Sequence, residues 1–217
     1  MSRYDAVIFD LDGTLLDTLD DLMDAVNHAL CEMGWPSRTR EEIRQFVGNG
    51  VALLMERAVP IGTAPEDTAK ALAIFKDYYE LHKQDKTAPY PGIPELLKSL
   101  REHGYRLAVV SNKFDAAVKG LVEDYFPGLF HTAAGENEAA GIPKKPAPAM
   151  VLRVLEELGI SPERAVYVGD SDVDLQTAAN AGLPCISVTW GFREREFLTA
   201  HGATVFADVP EDILDLV

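Results

Sequence analysis

The sequence predicts an α/β protein: a parallel sheet with helices on both faces, interrupted by an all-helical insert. Three observations carry this expectation. Four short apolar runs, Ala6-Val7-Ile8-Phe9, Leu107-Ala108-Val109-Val110, Ala165-Val166-Tyr167-Val168 and Cys185-Ile186-Ser187-Val188, are too short for helices. Their β-branched content suits strands buried on both faces. Amphipathic stretches lie between them, such as residues 93–103 and 147–158, the second stopped by Gly159. Residues 19–86, in contrast, hold only helical patterns, punctuated by Gly34-Trp35-Pro36, Val47-Gly48-Asn49-Gly50 and Gly62-Thr63-Ala64-Pro65. Four helices of ordinary length fit there.

Strands alternating with helices at this spacing form βαβ units, hence a Rossmann-like parallel core. Pro89-Tyr90-Pro91-Gly92 marks a rigid return to that pattern. The expected division is a core of residues 1–17 and 88–217, with residues 18–87 inserted as a helical domain just after the first strand.

The 217 residues include 35 acidic and 20 basic side chains, a formal charge of -15. That balance disfavours nonspecific nucleic-acid binding and anionic membrane surfaces, since both require a basic footprint. Met1-Ser2-Arg3-Tyr4-Asp5 runs straight into a strand-like segment, so no secretory leader is expected. No apolar run approaches the roughly 20 residues of a membrane-spanning helix. Cys31 and Cys185 form no metal-binding or redox spacing and sit among apolar neighbours, so buried free thiols are expected. A cytoplasmic protein is the simplest reading. An acidic single chain is compatible with a monomer.

In an open parallel sheet, ligands bind beyond the carboxyl ends of the strands. After the first strand come Asp10, Asp12, Gly13 and Thr14; after the next, Ser111, Asn112 and Lys113. Lys144-Lys145-Pro146 opens a later helix, and Gly169, Asp170, Ser171, Asp172 and Asp174 follow the third run. Four segments thus bring carboxylates, a hydroxyl and a lysine to one edge. Asp10 and Asp12, two apart, can flank one substrate, although an Asp-Gly turn alone also accounts for Asp12 and Gly13. Asp170 and Asp174 fall on neighbouring positions of a helix's first turn, where capping is the alternative reading. Asp172 points elsewhere and reads as solvated.

Carboxylates gathered around a phosphate would repel it unless a hard divalent cation intervened. Magnesium (Mg2+) takes oxygen ligands and bridges carboxylate to phosphate oxygens. Lys145 adds fixed positive charge and Ser111 a donor. Other signals lead nowhere: Gly48-Asn49-Gly50 lacks the preceding strand and third glycine of a dinucleotide site. The five histidines form no metal pair or triad.

Asp10-x-Asp12-Gly13-Thr14, Ser111-Asn112-Lys113, Lys145-Pro146 and Gly169-Asp170-Ser171-x-x-Asp174 follow the order of the four motifs of the haloacid dehalogenase-like hydrolase superfamily, which this chain resembles over essentially its whole length. The position of the helical insert resembles the cap of that superfamily's subfamily I. Val47-Gly48-Asn49-Gly50, Tyr90-Pro91-Gly92, Ser111-Asn112-Lys113 and Thr189-Trp190-Gly191-Phe192 look most like phosphoglycolate phosphatases and their close relatives.

The resemblance implies a phosphomonoester hydrolase acting on a small phosphorylated metabolite through an aspartyl-phosphate. Asp10 would be the nucleophile and Asp12 the acid and base. Magnesium would be held by the Asp10 carboxylate, the Asp12 carbonyl and the Asp170 carboxylate. Asp174 would orient a metal-bound water or Lys145, while Ser111, the Asn112 N–H and Lys145 would hold the phosphoryl oxygens. Lys145, rather than Lys144, matches the familiar Lys-Pro-x-Pro form.

Gly48, Asn49 and Gly50 are candidates for a cap loop that selects the substrate; a helix stop followed by a helix start explains them equally. Arg44 and Arg57 could meet a substrate carboxylate, with solvated helix charges as the commoner case. 2-Phosphoglycolate leads as substrate, and a pyrophosphatase, a nucleotidase or a sugar phosphomutase stands as an alternative. A phospho-accepting receiver domain gathers similar residues, but in a much shorter chain without a helical insert. A non-catalytic binding protein is disfavoured because none of the expected catalytic positions is substituted.

Overall fold

The computed structural model describes residues 3–137 and 141–217. Met1 and Ser2, which begin the run read for a leader and the expected core segment, lie outside the described residues. The chain divides into two compact units, Met1–Leu16 with Pro89–Val217, and Asp17–Ala88.

In chain order, β1 (Ala6–Phe9) and β2 (Leu16–Asp17) precede α1 (Leu19–Glu32), α2 (Arg40–Phe46), α3 (Val51–Ala58) and α4 (Pro65–His82). Then come β3 (Ala88–Pro89), α5 (Ile93–Glu102), β4 (Arg106–Phe114), α6 (Asp115–Tyr125), β5 (Thr132–Glu136) and α7 (Ala149–Leu158). The chain finishes with β6 (Ala165–Gly169), α8 (Asp172–Ala181), β7 (Cys185–Val188), α9 (Arg195–Ala200), β8 (Phe206–Ala207) and α10 (Asp212–Leu216). Short strands β2 and β3 pair with each other.

Among the described residues, the larger unit holds a six-stranded sheet of order β5-β4-β1-β6-β7-β8, with every neighbouring pair parallel. Successive strand residues face opposite sides, and the burial follows that alternation. Val7 and Phe9 join Leu107, Val109, Val166 and Val168 against the apolar stripes of α5 and α6. Ala6 and Ile8 join Ala108, Val110, Ala165 and Tyr167 against α7 and α8. Each large aliphatic side chain buried this way contributes about 1.5–3 kcal/mol relative to exposure. From β1 the chain builds outward to β4 and β5, then crosses back to place β6 on the other side of β1. The order therefore reverses at β1, and the carboxyl ends of β4, β1 and β6 frame the crevice where such sheets bind ligands.

The structure departs from the sequence pattern in three places. β4 does not stop at Val110: it continues through Phe114, with its register against β5 shifting between Val110 and Phe114. Ser111, Asn112 and Lys113 thus lie on an irregular strand end rather than in a loop. Strands β5 and β8 were absent from the apolar pattern, because Thr132-Ala133-Ala134-Gly135-Glu136 lacks large aliphatics and β8 has two residues. Cys31 is exposed rather than buried, and Cys185 is partly buried; both are free thiols. The buried stripe of α1 runs through Leu22, Val26, Ala29 and Leu30, and one further residue of helix rotation turns Cys31 off it.

The helical unit packs α1 along α4 and α2 and α3 beside them. Thr39 opens α2 with a capping box to Glu42: its hydroxyl accepts the Glu42 N–H at 3.3 Å, and the Glu42 carboxylate accepts the Thr39 N–H at 2.8 Å. Gly48 and Gly50, at φ +112° and +88°, carry the turn from α2 into α3. Locally this is the helix stop and start that the glycines also suggested. Arg57 bridges that turn, donating to the Phe46 carbonyl at 2.7 Å and to Asn49 Oδ1 at 3.1 Å. Arg44 pairs with Glu41 at 2.9 Å.

Asp21, buried in the first turn of α1, accepts from the Lys86 N–H at 3.0 Å and from the Thr87 N–H and hydroxyl at 2.8 and 2.7 Å. It ties the two ends of the unit together. Asp21→Ala orphans those donors and should destabilise the protein by about 2–4 kcal/mol in denaturant unfolding; a loss below about 0.5 kcal/mol would contradict this assignment.

Candidate active site

Asp10 leaves β1 with its N–H donating to the Val168 carbonyl at 2.9 Å, so the sheet fixes its backbone. Its buried carboxylate lies 2.8 Å from the ammonium of Lys145, which also reaches Asp174 Oδ1 at 2.7 Å and the Tyr167 hydroxyl at 3.2 Å. Lys145 is itself buried, and the Asn112 side chain pins its backbone at two points. The Lys145 N–H donates to Asn112 Oδ1 at 2.6 Å, and Asn112 Nδ2 donates to the Lys145 carbonyl at 3.1 Å. Lys144, its neighbour, is half-exposed. The Asn112 side chain, and not only the N–H expected to serve the site, thus sets the lysine.

Asp174 divides its two oxygens between the start of α8 and Lys145. One oxygen closes the capping box of α8, accepting from the Ser171 N–H at 3.1 Å and the Ser171 hydroxyl at 2.6 Å. The other faces Lys145 and Tyr167. The Tyr167 hydroxyl also lies 3.2 Å from the Val110 carbonyl, which links β6 to β4 beneath the carboxylates.

Asp170 follows β6 and is held from the far side. Its Oδ2 accepts the Phe192 N–H at 2.7 Å, and the Thr14 hydroxyl lies 3.4 Å from its Oδ1. Gly13 sits at φ +88°, and a Cβ there would collide with the Asp170 carboxylate. A Cβ on Gly191 would strike both Asp170 and the Gly13 carbonyl. Trp190 Nε1 donates to the Thr14 carbonyl at 3.0 Å, closing the segment after β7 onto the Asp-Gly-Thr turn. The sequence could not reveal that Phe192 contributes through its backbone. Tyr167 carried a signal, as a polar tip within an otherwise aliphatic strand.

Asp12 is half-buried, with Oδ1 3.1 Å from the Lys113 ammonium. Ser111 is buried, and its hydroxyl accepts the Lys113 N–H at 3.2 Å. Asp172 is partly exposed, in keeping with the solvated reading. Gly48, Asn49 and Gly50 belong to the other unit, in the turn between α2 and α3.

Asp10, Asp170 and Asp174 bring carboxylate oxygens within 4.8 Å of one another, all buried. Burial, then the Asp174 charge, pushes the Asp10 carboxyl well above the ordinary carboxylate range, against the pull of Lys145. Burial and Asp174 likewise raise Asp170 to about 7, although the Phe192 N–H opposes them. Burial works against charge on Lys145, but Asp10 and Asp174 outweigh it and hold its pKa well above the usual lysine value. Lys145 contacts two of the three carboxylates, so ionising all three would leave excess negative charge in a buried place. A buried set of hard oxygen donors with that excess fits a divalent cation.

Asp10 follows β1, Ser111 lies near the end of β4 and Asp170 follows β6, with Lys145 and Asp174 beside them, and the chain belongs to the haloacid dehalogenase-like hydrolase family, which it matches over residues 7–188. It is 35% identical over 215 residues to the phosphoglycolate phosphatase of Pseudomonas putida, covering 96% of this chain and 75% of that one. Against the phosphoglycolate phosphatase of Aquifex aeolicus it is 34% identical over 187 residues, covering 86% and 85%. A Lactobacillus delbrueckii subsp. bulgaricus crystal structure, provisionally named a phosphoglycolate phosphatase, superposes with a TM-score of 0.94 at 40% identity, over 99% of this chain and 98% of that one. Among the described residues, no helix is long and apolar enough to cross a membrane.

Asp10 and Asp170 bind protons more tightly folded than unfolded, so the cation-free protein loses stability as pH rises from the ordinary carboxylate range through about 7. A cation competes with those protons for the same oxygens. Magnesium chloride should therefore raise the melting temperature more at about pH 7.5 than at about pH 5; equal shifts, or none, would contradict the charge assignment.

Proposed function

We propose that this hydrolase is a magnesium-dependent phosphatase that passes its substrate's phosphoryl group through the carboxylate of Asp10 to water. The observation that carries this reading is the contact between Asp10 and the buried Lys145 ammonium, 2.8 Å apart at the point where the sheet order reverses. A nucleophile for phosphorus has to be fixed in line and flanked by positive charge that survives burial. Lys145 meets both needs, because Asn112 fixes its backbone and Asp174 its ammonium.

In the first step an Asp10 oxygen bonds to phosphorus while the ester P–O bond breaks, and Asp12 delivers a proton to the leaving oxygen. In the second, water attacks phosphorus, Asp12 takes its proton, and the Asp10–phosphorus bond breaks. Ser111, the Asn112 N–H and Lys145 hold the phosphoryl oxygens through both steps. Asp174 acts by keeping Lys145 oriented. The Asp10 and Asp170 carboxylates and the Asp12 carbonyl would hold magnesium, which when bound supplies the positive charge that lets an anionic ester sit among carboxylates.

The α/β unit is the catalytic domain in this reading, and the helical unit is the cap, with Gly48, Asn49 and Gly50 as its candidates for substrate selection. The names of the Pseudomonas and Aquifex relatives make 2-phosphoglycolate the leading substrate.

With magnesium, the protein should hydrolyse 2-phosphoglycolate and generic aryl phosphates. Asp10→Asn should lower kcat by more than about a thousandfold in steady-state phosphate release, as expected when the covalent route is removed. Near-normal turnover in that variant, or in excess chelator, would overturn the reading. Asp12→Asn should lower kcat for an alkyl phosphate by about 10²–10⁴-fold. The loss should be smaller for an aryl phosphate, whose leaving group needs less protonation; equal losses would argue against an acid role.

A further inference from the structure

We propose that Tyr167 is a positioning residue for phosphoryl transfer: its hydroxyl holds Lys145 from the interior, so that the ammonium presents one N–H to the nucleophile in a fixed direction. This rests on the phosphatase reading above, in which Lys145 holds the phosphoryl oxygens.

A lysine ammonium has three N–H donors and no acceptor. Lys145 Nζ meets three oxygens: Asp174 Oδ1 at 2.7 Å, Asp10 Oδ1 at 2.8 Å and the Tyr167 hydroxyl at 3.2 Å. Three partners for three donors stop the ammonium from turning about its own bond. The partners differ in depth. Asp174 and Tyr167 are completely buried, whereas Asp10 keeps 7% of its surface exposed. Two donors are therefore committed to the interior, and the third is the one aimed at the nucleophile. When Asp10 bonds to phosphorus its hold on the ammonium changes, and Asp174 and Tyr167 are the contacts that persist. A donor held in this way needs no reorganisation as charge develops on the transferring group.

The Tyr167 hydroxyl suits that role because of where its own proton goes. It lies 3.2 Å from Asp174 Oδ1 and 3.2 Å from the Val110 carbonyl, and it has one proton to give. Donation to either oxygen leaves a lone pair for the Lys145 N–H. Val110 stands on β4 and Tyr167 on β6, with β1 between them, so the ammonium is tied to the sheet itself. Packing does not account for the hydroxyl. The ring sits in the apolar layer with Ile8, Val110 and Met150, which a phenylalanine would fill equally. A buried hydroxyl is costly unless it is hydrogen-bonded, and here its partners all belong to the site or to the strand beside it.

Tyr167→Phe isolates the hydroxyl, because it keeps the ring that lies 5.8 Å from the Lys145 ammonium. With an aryl phosphate and magnesium, the variant should lose about three- to tenfold in kcat, the range of one hydrogen bond. Inhibition separates positioning from a loss of folded enzyme, since an inhibition constant does not depend on the fraction that is active. Orthovanadate, which adopts the five-coordinate geometry of the transferring group, should inhibit the variant about three- to tenfold more weakly than the wild type. Inorganic phosphate, which lacks that geometry, should weaken by less than about twofold. Should the Phe variant fail to fold by circular dichroism, Tyr167→Leu is read in the same way. Equal weakening of both inhibitors, the result of a hydroxyl that only supports the core, overturns the proposal; so does an unchanged vanadate constant. A wild type that neither hydrolyses an aryl phosphate nor binds vanadate removes the phosphatase reading itself, a different outcome from equal weakening in the variant.

Discussion

The contact between Lys145 and the carboxylates of Asp10 and Asp174 is the constraint around which the rest of the α/β unit is arranged. Burying a charge is costly unless it is paired and hydrogen-bonded. Here three carboxylates and one ammonium are buried together, which leaves the group short of positive charge. Such an arrangement persists only where neighbouring structure fixes every member. Asn112 fixes the lysine backbone, the first turn of α8 fixes Asp174, and Phe192 and Thr14 fix Asp170. The imbalance they maintain is one that a bound cation would relieve.

That arrangement depends on close backbone approach. Gly13 and Gly191 meet the Asp170 carboxylate from two directions, Gly169 leaves no room for a Cβ beside Asp174, and Gly135 does the same beside Lys113. Side chains at these positions would push apart the strand ends that carry the chemistry. The sheet supplies the remaining precision: β1, β4 and β6 are neighbours in parallel register, so residues distant in sequence reach the same edge. At that edge Lys145 pairs with Asp10 and Lys113 with Asp12.

Much of this was legible in the sequence, for a physical reason. Strands buried on both faces must be short apolar runs, so β1 and β7 coincide with the runs at Ala6–Phe9 and Cys185–Val188. The four helices between residues 19 and 86 follow from helical periodicity broken by glycine and proline. The end of β4 was not legible, because its polar residues Ser111, Asn112 and Lys113 resemble a loop and only pairing with β5 shows otherwise. Edge strand β5 lacks the apolar signature for the same reason that it is half-exposed. Within the site, Asp10, Asp170 and Lys145 stood out as charges at strand and helix ends. The Phe192 N–H, the Asn112 side chain and the Tyr167 hydroxyl act through contacts that no spacing rule encodes.

In the proposed reaction Asp10 carries the phosphoryl group covalently. Acid-quenched single turnover, followed by peptide mass mapping, tests it most directly. The peptide containing Asp10 should transiently gain the mass of one phosphoryl group, and the modification should disappear at the rate at which phosphate is released. Turnover with that peptide unmodified at every quench time, or with the phosphoryl group on another residue, would contradict it.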